Sequence, residues 1–61
     1  MNKVLWNNEK DLCIGLTTEI DQEEFIEVAQ RTHEELTGDE LPLELCKITM
    51  VEKENLWKLE L

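Results

Sequence analysis

The sequence predicts an α+β fold in which one helix packs on one face of a four-stranded, mainly antiparallel sheet, in the order ββαββ. Three observations support this prediction: a capped central stretch with helical apolar spacing, and runs of alternating apolar residues before and after it. The chain has 61 residues. It is therefore predicted to form one small domain over residues 1–61, since domains usually need about 50 residues or more.

The first hairpin is predicted from two short apolar runs that a polar segment separates. A five-residue loop over 7–11 places Trp6 opposite Leu12 in the hairpin register. In that register Cys13 and Gly15 face away from the helix. The residues that face the helix are then all apolar: Val4, Trp6, Leu12, Ile14 and Leu16.

The central helix is predicted over residues 22–37. Asp21 is a favourable N-cap, and Glu24 stands three residues later, as a capping box requires. Gly38 supplies the left-handed residue that ends many helices. The apolar stripe that is predicted to pack on the sheet consists of Phe25, Val28, Ala29, Thr32 and Leu36.

The second hairpin is predicted from two alternating runs around a loop over 52–55. A loop of that length pairs Met50 with Trp57 on the helix side, and Lys47 with Glu60 on the opposite side. The residues on the helix side are again apolar: Cys46, Ile48, Met50, Trp57, Leu59 and Leu61. The loop length and the alternation of apolar residues predict the same register.

If the first and last strands lie side by side in parallel, this arrangement resembles the β-grasp fold and, in outline, the immunoglobulin-binding domains of streptococcal surface proteins. The resemblance covers almost the whole chain in element order and length, and no motif accompanies it. It implies a β-grasp-like sheet and nothing about function. The strand order stays open, because each hairpin can also pair through its other edge.

Composition and charge exclude several classes of protein. A net charge of -9 and a pI near 4.3 disfavour direct binding to nucleic acid or to an anionic membrane. No apolar run approaches the ~18 residues that a membrane span needs, and we do not expect residues 1–6 to act as a signal peptide, because their apolar run is too short. The expected location is the cytoplasm, where Cys13 and Cys46 are expected to stay reduced.

No pattern in the chain indicates catalysis or a bound cofactor. His33 is the only histidine, so the paired histidines of a zinc protease motif are missing. Cys13 is predicted to lie on the side of the sheet away from His33, which argues against a thiol–imidazole pair. We therefore expect a protein that is not an enzyme and that binds no cofactor or metal.

The negative charge is concentrated in the middle of the chain. Between residues 19 and 40, nine acids stand against one base, Arg31, which leaves -8 of the total of -9. Acids in the first turn stabilise a helix, but those near its C-terminal end oppose the helix dipole, which favours a role in recognition. The candidate partner-binding residues are Glu23, Glu24, Glu27, Glu34, Glu35, Asp39 and Glu40.

Carboxylates one helical turn apart lie about 6 Å from each other and can imitate a phosphate backbone. The leading hypothesis is therefore a small inhibitor that mimics nucleic-acid charge and occupies a basic surface of a partner protein, such as a nucleic-acid-binding enzyme or complex. In size and acidity the chain is similar to the small inhibitors that phages use against host nucleases, DNA-repair enzymes and CRISPR complexes. A solvated helix face that only keeps the protein soluble is the other interpretation.

An alternative function is a structural or assembly module that homodimerises or docks in a complex through the outer sheet face, away from the helix. That face is predicted to carry Leu5, Cys13, Gly15, Leu45, Val51 and Leu56. Leu41 and Leu43 are predicted to extend it. The candidate residues of this second interface are Leu5, Leu45, Val51 and Leu56.

Overall fold

The computed structural model describes residues 3–61 and has the predicted fold class: four strands in one sheet and one helix. The helices and strands are β1 (Val4–Trp6), β2 (Leu12–Leu16), α1 (Gln22–Thr37), β3 (Lys47–Val51) and β4 (Leu56–Glu60). Short 3-10 turns lie at Leu43–Leu45 and Glu52–Glu54. None of the helices in the described residues is both long and apolar enough to cross a membrane.

The strand order across the sheet is β1-β2-β4-β3, and every strand pair is antiparallel. The parallel pairing of the first and last strands, on which the β-grasp resemblance depended, is not formed, because β4 pairs with β2 instead. The connection through α1 carries the chain from β2 past β4 to the far edge of the sheet. β1 and β3 are therefore the two edge strands.

The ends of α1 confirm the predicted capping residues. The Asp21 carboxylate accepts a hydrogen bond of 2.8 Å from the backbone N–H of Glu24. At the other end Gly38 has φ 80°, and its N–H donates to the Glu34 carbonyl oxygen at 2.8 Å. Local sequence chemistry fixes both ends of this helix.

The register of the second hairpin is also as predicted. Met50 pairs with Trp57, and Lys47 pairs with Glu60. Asn55 closes the loop with φ 54°, a left-handed conformation that asparagine tolerates better than most residues. The carboxylate of Glu60 lies 3.2 Å from the ammonium group of Lys58 on its own strand.

The predicted register of the first hairpin is wrong by one residue. Trp6 pairs with Cys13 rather than with Leu12, and Val4 pairs with Gly15. Because successive side chains of a strand point to opposite faces, this shift turns the whole of β2 over. Cys13 and Gly15 are buried beneath the helix. Three side chains now face away from it: Leu12, Ile14 and Leu16.

The side chain of Asn7 explains the shift. Its Oδ1 accepts hydrogen bonds from the backbone N–H groups of Asp11 and Leu12, at 3.0 and 3.1 Å. The backbone N–H of Asn7 donates to the Leu12 carbonyl oxygen at 3.0 Å, so the hairpin continues one pair beyond Trp6. Lys10 turns the loop with φ 60°. A four-residue turn therefore replaces the expected loop of five.

The core lies between α1 and the inner face of the sheet. Its buried apolar residues are Val4, Cys13, Ile20, Phe25, Ala29, Leu41 and Leu59. Leu41 therefore does not extend the outer face as predicted, and Leu43 is half-buried against the core. Leu36, which was predicted to belong to the helix stripe, is 57% exposed, whereas His33 is buried.

Both indole N–H groups join the sheet to the connection above it. Trp57 Nε1 donates to the Ile20 carbonyl oxygen at 2.7 Å, at the start of the helical segment. Trp6 Nε1 donates to Thr32 Oγ1 at 2.9 Å on α1 itself. Because each bond lies among packed apolar groups, it fixes the position of the helix over the sheet.

Candidate functional site

The acidic face consists of five glutamates of α1 and the two acids that follow Gly38: Glu23, Glu24, Glu27, Glu34, Glu35, Asp39 and Glu40. Glu23, Glu27 and Glu34 stand at spacings of four and seven residues, so they share one ridge of the helix. This ridge is about 16 Å long at 1.5 Å per residue. It lies opposite the side on which Phe25 and Ala29 are buried.

Solvent reaches the whole acidic face. Six of its seven residues are exposed, and only Glu24 is half-buried. The scaffold behind them is a capped helix that is bonded to the sheet through Thr32. The five glutamates of the face therefore stand on a rigid element.

Two basic residues contact the acidic face at its flank. Arg31 lies 3.6 Å from Glu27, and Lys3 lies 3.2 Å from Glu24. Both pairs are well exposed, so each contributes only a few tenths of a kcal/mol to about 1 kcal/mol. For the part of the chain that the structure describes, the other five acids of the face form no ion pair.

Arg31 and Lys3 also line a groove of about 450 Å³ beside the helix. Its remaining lining residues are Glu24, Glu27, Val28, Thr32 and Glu35. Charges of both signs alternate here, whereas the ridge from Glu23 to Glu34 carries acids. Two bases therefore offset three acids at this flank, whereas the structure gives Glu23 and Glu34 on the ridge no ion pair among the described residues.

A cluster around His33 fixes the turn that carries Asp39. His33 Nδ1 lies 3.0 Å from the Asp39 carbonyl oxygen, so this nitrogen carries the hydrogen that it donates. The backbone N–H of Asp39 donates to Thr37 Oγ1 at 3.1 Å. The Trp6 ring packs against the imidazole at a centroid distance of 5.2 Å. The cluster depends on the tertiary fold, and no sequence pattern indicates it.

The outer face of the sheet is more apolar than the sequence predicted. Because β2 is turned over, its large side chains replace Cys13 and Gly15 on this face. The apolar residues of the outer face are Leu5, Leu12, Ile14, Leu16, Val51 and Leu56. Leu45 is 70% exposed, but it lies in a 3-10 turn, so strand alternation does not assign it to the face.

Burial makes Cys13 a poor nucleophile. Its pKa is raised to about 12, because burial disfavours the thiolate, although a hydrogen bond from the Leu5 backbone partly opposes this effect. Its expected place on the far face of the sheet is wrong, since Cys13 lies in the core beneath α1. The pKa of Cys46 is also raised, first by burial and then by the nearby charge of Glu44.

We expect the two thiols to differ in reactivity and Cys13 to make stability depend on pH. A thiol reagent should label half-buried Cys46 in the native protein and Cys13 only after unfolding. Above about pH 9 the unfolded Cys13 thiol loses its proton while the folded one keeps it to about pH 12. Stability should therefore fall over that range, by up to about 1.4 kcal/mol per pH unit. Thiol labelling of the native chain measures the first effect, and alkaline urea titrations of Cys46→Ser measure the second. Labelling of Cys13 in the folded protein would contradict its burial.

Among residues 3–61, no group of three or more His, Cys, Asp or Glu side chains comes together in a way that could hold a metal ion. Comparisons of the chain with protein-family models, with curated proteins and with solved structures gave no match.

Proposed function

We propose that this chain is a small acidic binding protein, an inhibitor that mimics nucleic-acid charge and occupies a basic surface of a partner protein. The partner class is a nucleic-acid-binding enzyme or complex, and the proposed setting is a phage-type inhibitor in the bacterial cytoplasm. The observation that carries the proposal is the acidic ridge of Glu23, Glu27 and Glu34 on a helix whose opposite side is locked to the sheet.

The physical basis is long-range attraction followed by close pairing. An exposed row of carboxylates steers a basic groove toward the helix and raises the rate of association at low salt. Each carboxylate then accepts hydrogen bonds from lysine or arginine, as a phosphate does. Because the helix is already formed and capped, binding does not have to order the backbone that carries the row, and only side-chain freedom is lost.

Helix stability does not account for the whole acidic face. Glu23 and Glu24 interact favourably with the positive N-terminal end of α1. Glu34 and Glu35 lie near the negative end, where no basic residue occupies the last turn. Acids at that end oppose the dipole and cost stability, so their presence supports a role in binding rather than in folding.

The proposal predicts that the helix carboxylates are needed for partner capture and that other acids are not. The test variant is E23Q/E27Q/E34Q/E35Q. The control, E9Q/E44Q/E52Q/E54Q, removes the same charge from four exposed acids outside the helix. We expect the test variant to bind at least about tenfold more weakly, since four exposed ion pairs of 0.2–1 kcal/mol each exceed about 1.4 kcal/mol in most combinations.

The immobilised chain is used to capture proteins from a bacterial lysate, and duplex DNA is added as a competitor to release them. The affinity of the purified partner is then measured. The proposal expects basic nucleic-acid-binding proteins that the native chain and the control retain and the test variant loses. Equal retention by the test and control variants would contradict it. So would a partner that duplex DNA does not displace.

A further inference from the structure

The apolar residues of the outer face form one continuous patch. Leu5 pairs with Ile14 across β1 and β2, and Leu16 pairs with Leu56, which pairs in turn with Val51. Leu5 is 68% exposed and Leu16 is 42% exposed. A groove of about 310 Å³ follows this patch, and most of its lining residues are apolar. No element of the described chain covers this side of the sheet.

The whole outer side of the sheet, its polar residues included, is large enough for a stable interface. The molecule has a surface of 4439 Å² and Cα extents of 31 × 25 × 21 Å. One side of a box with that surface is roughly 700 Å², close to the ~800 Å² per partner that standard protein interfaces bury. The largest apolar patch on a typical monomeric protein covers about 300–600 Å² and is often a site of interaction.

The distribution of charge decides what covers the patch. The charged residues that the strand register places on the outer face are nearly balanced: Lys47, Lys58 and Glu60. The acidic face lies on the other side of the sheet, on α1. Two copies that meet through their outer faces therefore keep their acidic helices apart, although each chain carries a net charge of -9.

The separation in such a dimer is large compared with the range of the repulsion. Packed sheets lie about 10 Å apart, and a helix layer adds about 10 Å on each side. The two acidic helices would then be roughly 30 Å apart, several times the ~8 Å Debye length at physiological salt. Contacts that involve the helix side bring the acids of one copy much closer to those of the other.

We propose that a second copy of this chain covers the outer face, in a two-fold symmetric dimer with the two sheets packed face to face. Such an interface is isologous, so the same patch serves both copies, and sheets pack in this way when their facing sides are apolar. The dimer presents two acidic faces on opposite sides. This inference goes beyond the proposed function and does not depend on it.

Sedimentation over a range of concentrations up to about 1 mM tests the dimer. The test variant is L5K/L16K, and the control is L36K/M50K, which adds the same charge at two apolar residues on the helix side that are 57% and 49% exposed. We expect a dimer in the native chain and in the control, and at least tenfold weaker dimerisation in the test variant. Circular dichroism establishes that each variant is folded.

Salt separates this inference from the proposed function. Dimerisation through an apolar face should strengthen or stay constant as salt is raised, because salt screens the repulsion between the copies. The E23Q/E27Q/E34Q/E35Q variant should dimerise at least as well as the native chain, even if it no longer binds a partner. A native chain that stays monomeric, or a control that dimerises as weakly as L5K/L16K, would overturn the inference. If L5K/L16K loses binding of a partner protein rather than dimerisation, the outer face binds that partner and not a second copy of the chain.

Discussion

Phe25→Ala is expected to unfold most of the protein at room temperature. The Phe25 ring is fully buried, and it stacks on Trp57 with a centroid distance of 6.4 Å. Removing such a ring costs about 3–5 kcal/mol, because transfer energy is lost and a cavity remains. A chain of this size has only about 3–5 kcal/mol of stability to lose.

The measurement is urea denaturation followed by circular dichroism and tryptophan fluorescence. Leu36→Ala is the matched control, because Leu36 lies on the same helix and is exposed. This control should change stability by no more than about 0.5 kcal/mol. If the free energy of unfolding of Phe25→Ala lies within about 1 kcal/mol of the native value, the core is not centred on this ring.

Gly15→Ala is expected to cost about 1–3 kcal/mol, the range typical of overpacking in a core. A Cβ at this position would lie 2.9 Å from Phe25 Cδ1 and 3.3 Å from the backbone oxygen of Lys3. The ring is fully buried and the second atom belongs to the backbone, so neither has room to move. Elsewhere in a strand, alanine in place of glycine is usually neutral or stabilising.

A double-mutant cycle with Phe25→Leu identifies the cause. The smaller side chain leaves space for the new methyl group, so Gly15→Ala should cost less in that background, with a coupling of 0.5 kcal/mol or more, as is typical of residues in contact. The cycle also tests the hairpin register, because Gly15 faces solvent in the register that the sequence predicted. A neutral Gly15→Ala in the native background would favour that register over the one found here.

Local chemistry made α1 and the second hairpin predictable. Asp21 and Gly38 mark the helix ends whatever the rest of the chain does, and the loop over 52–55 has one length that places apolar residues on one face. In both cases every cue pointed to the same structure. The strand order was not predictable, since it depends on which edges the hairpins present after folding.

The register of the first hairpin was predicted wrongly because, in β2, the more apolar side chains are not the ones that fit the space beneath α1. Leu12, Ile14 and Leu16 are the more apolar set, so alternation alone assigns them to the core. The space beneath α1 is already filled by Phe25 and accepts only the small residues of the strand, Cys13 and Gly15. Steric fit therefore outweighed hydrophobicity, and the bonds of Asn7 that fix this register are invisible in a periodic pattern.

The acidic ridge was predictable because helical spacing alone groups Glu23, Glu27 and Glu34. What surrounds it was not predictable. The contact of Lys3 with Glu24 joins residues far apart in the chain, and the clamp between His33 and Asp39 depends on the turn at Gly38. These contacts modulate the charge and position of the face, and no spacing rule reveals them.

The most direct test of the central claim is the salt dependence of affinity for the purified partner, measured by titration calorimetry or by fluorescence anisotropy. For the native chain and for E9Q/E44Q/E52Q/E54Q, the logarithm of the dissociation constant should rise steeply with the logarithm of salt concentration, as expected for contacts between charged groups. For E23Q/E27Q/E34Q/E35Q the slope should be much shallower and the low-salt affinity at least about tenfold weaker. An identical slope in all three proteins would contradict the claim that the acidic helix makes the contact.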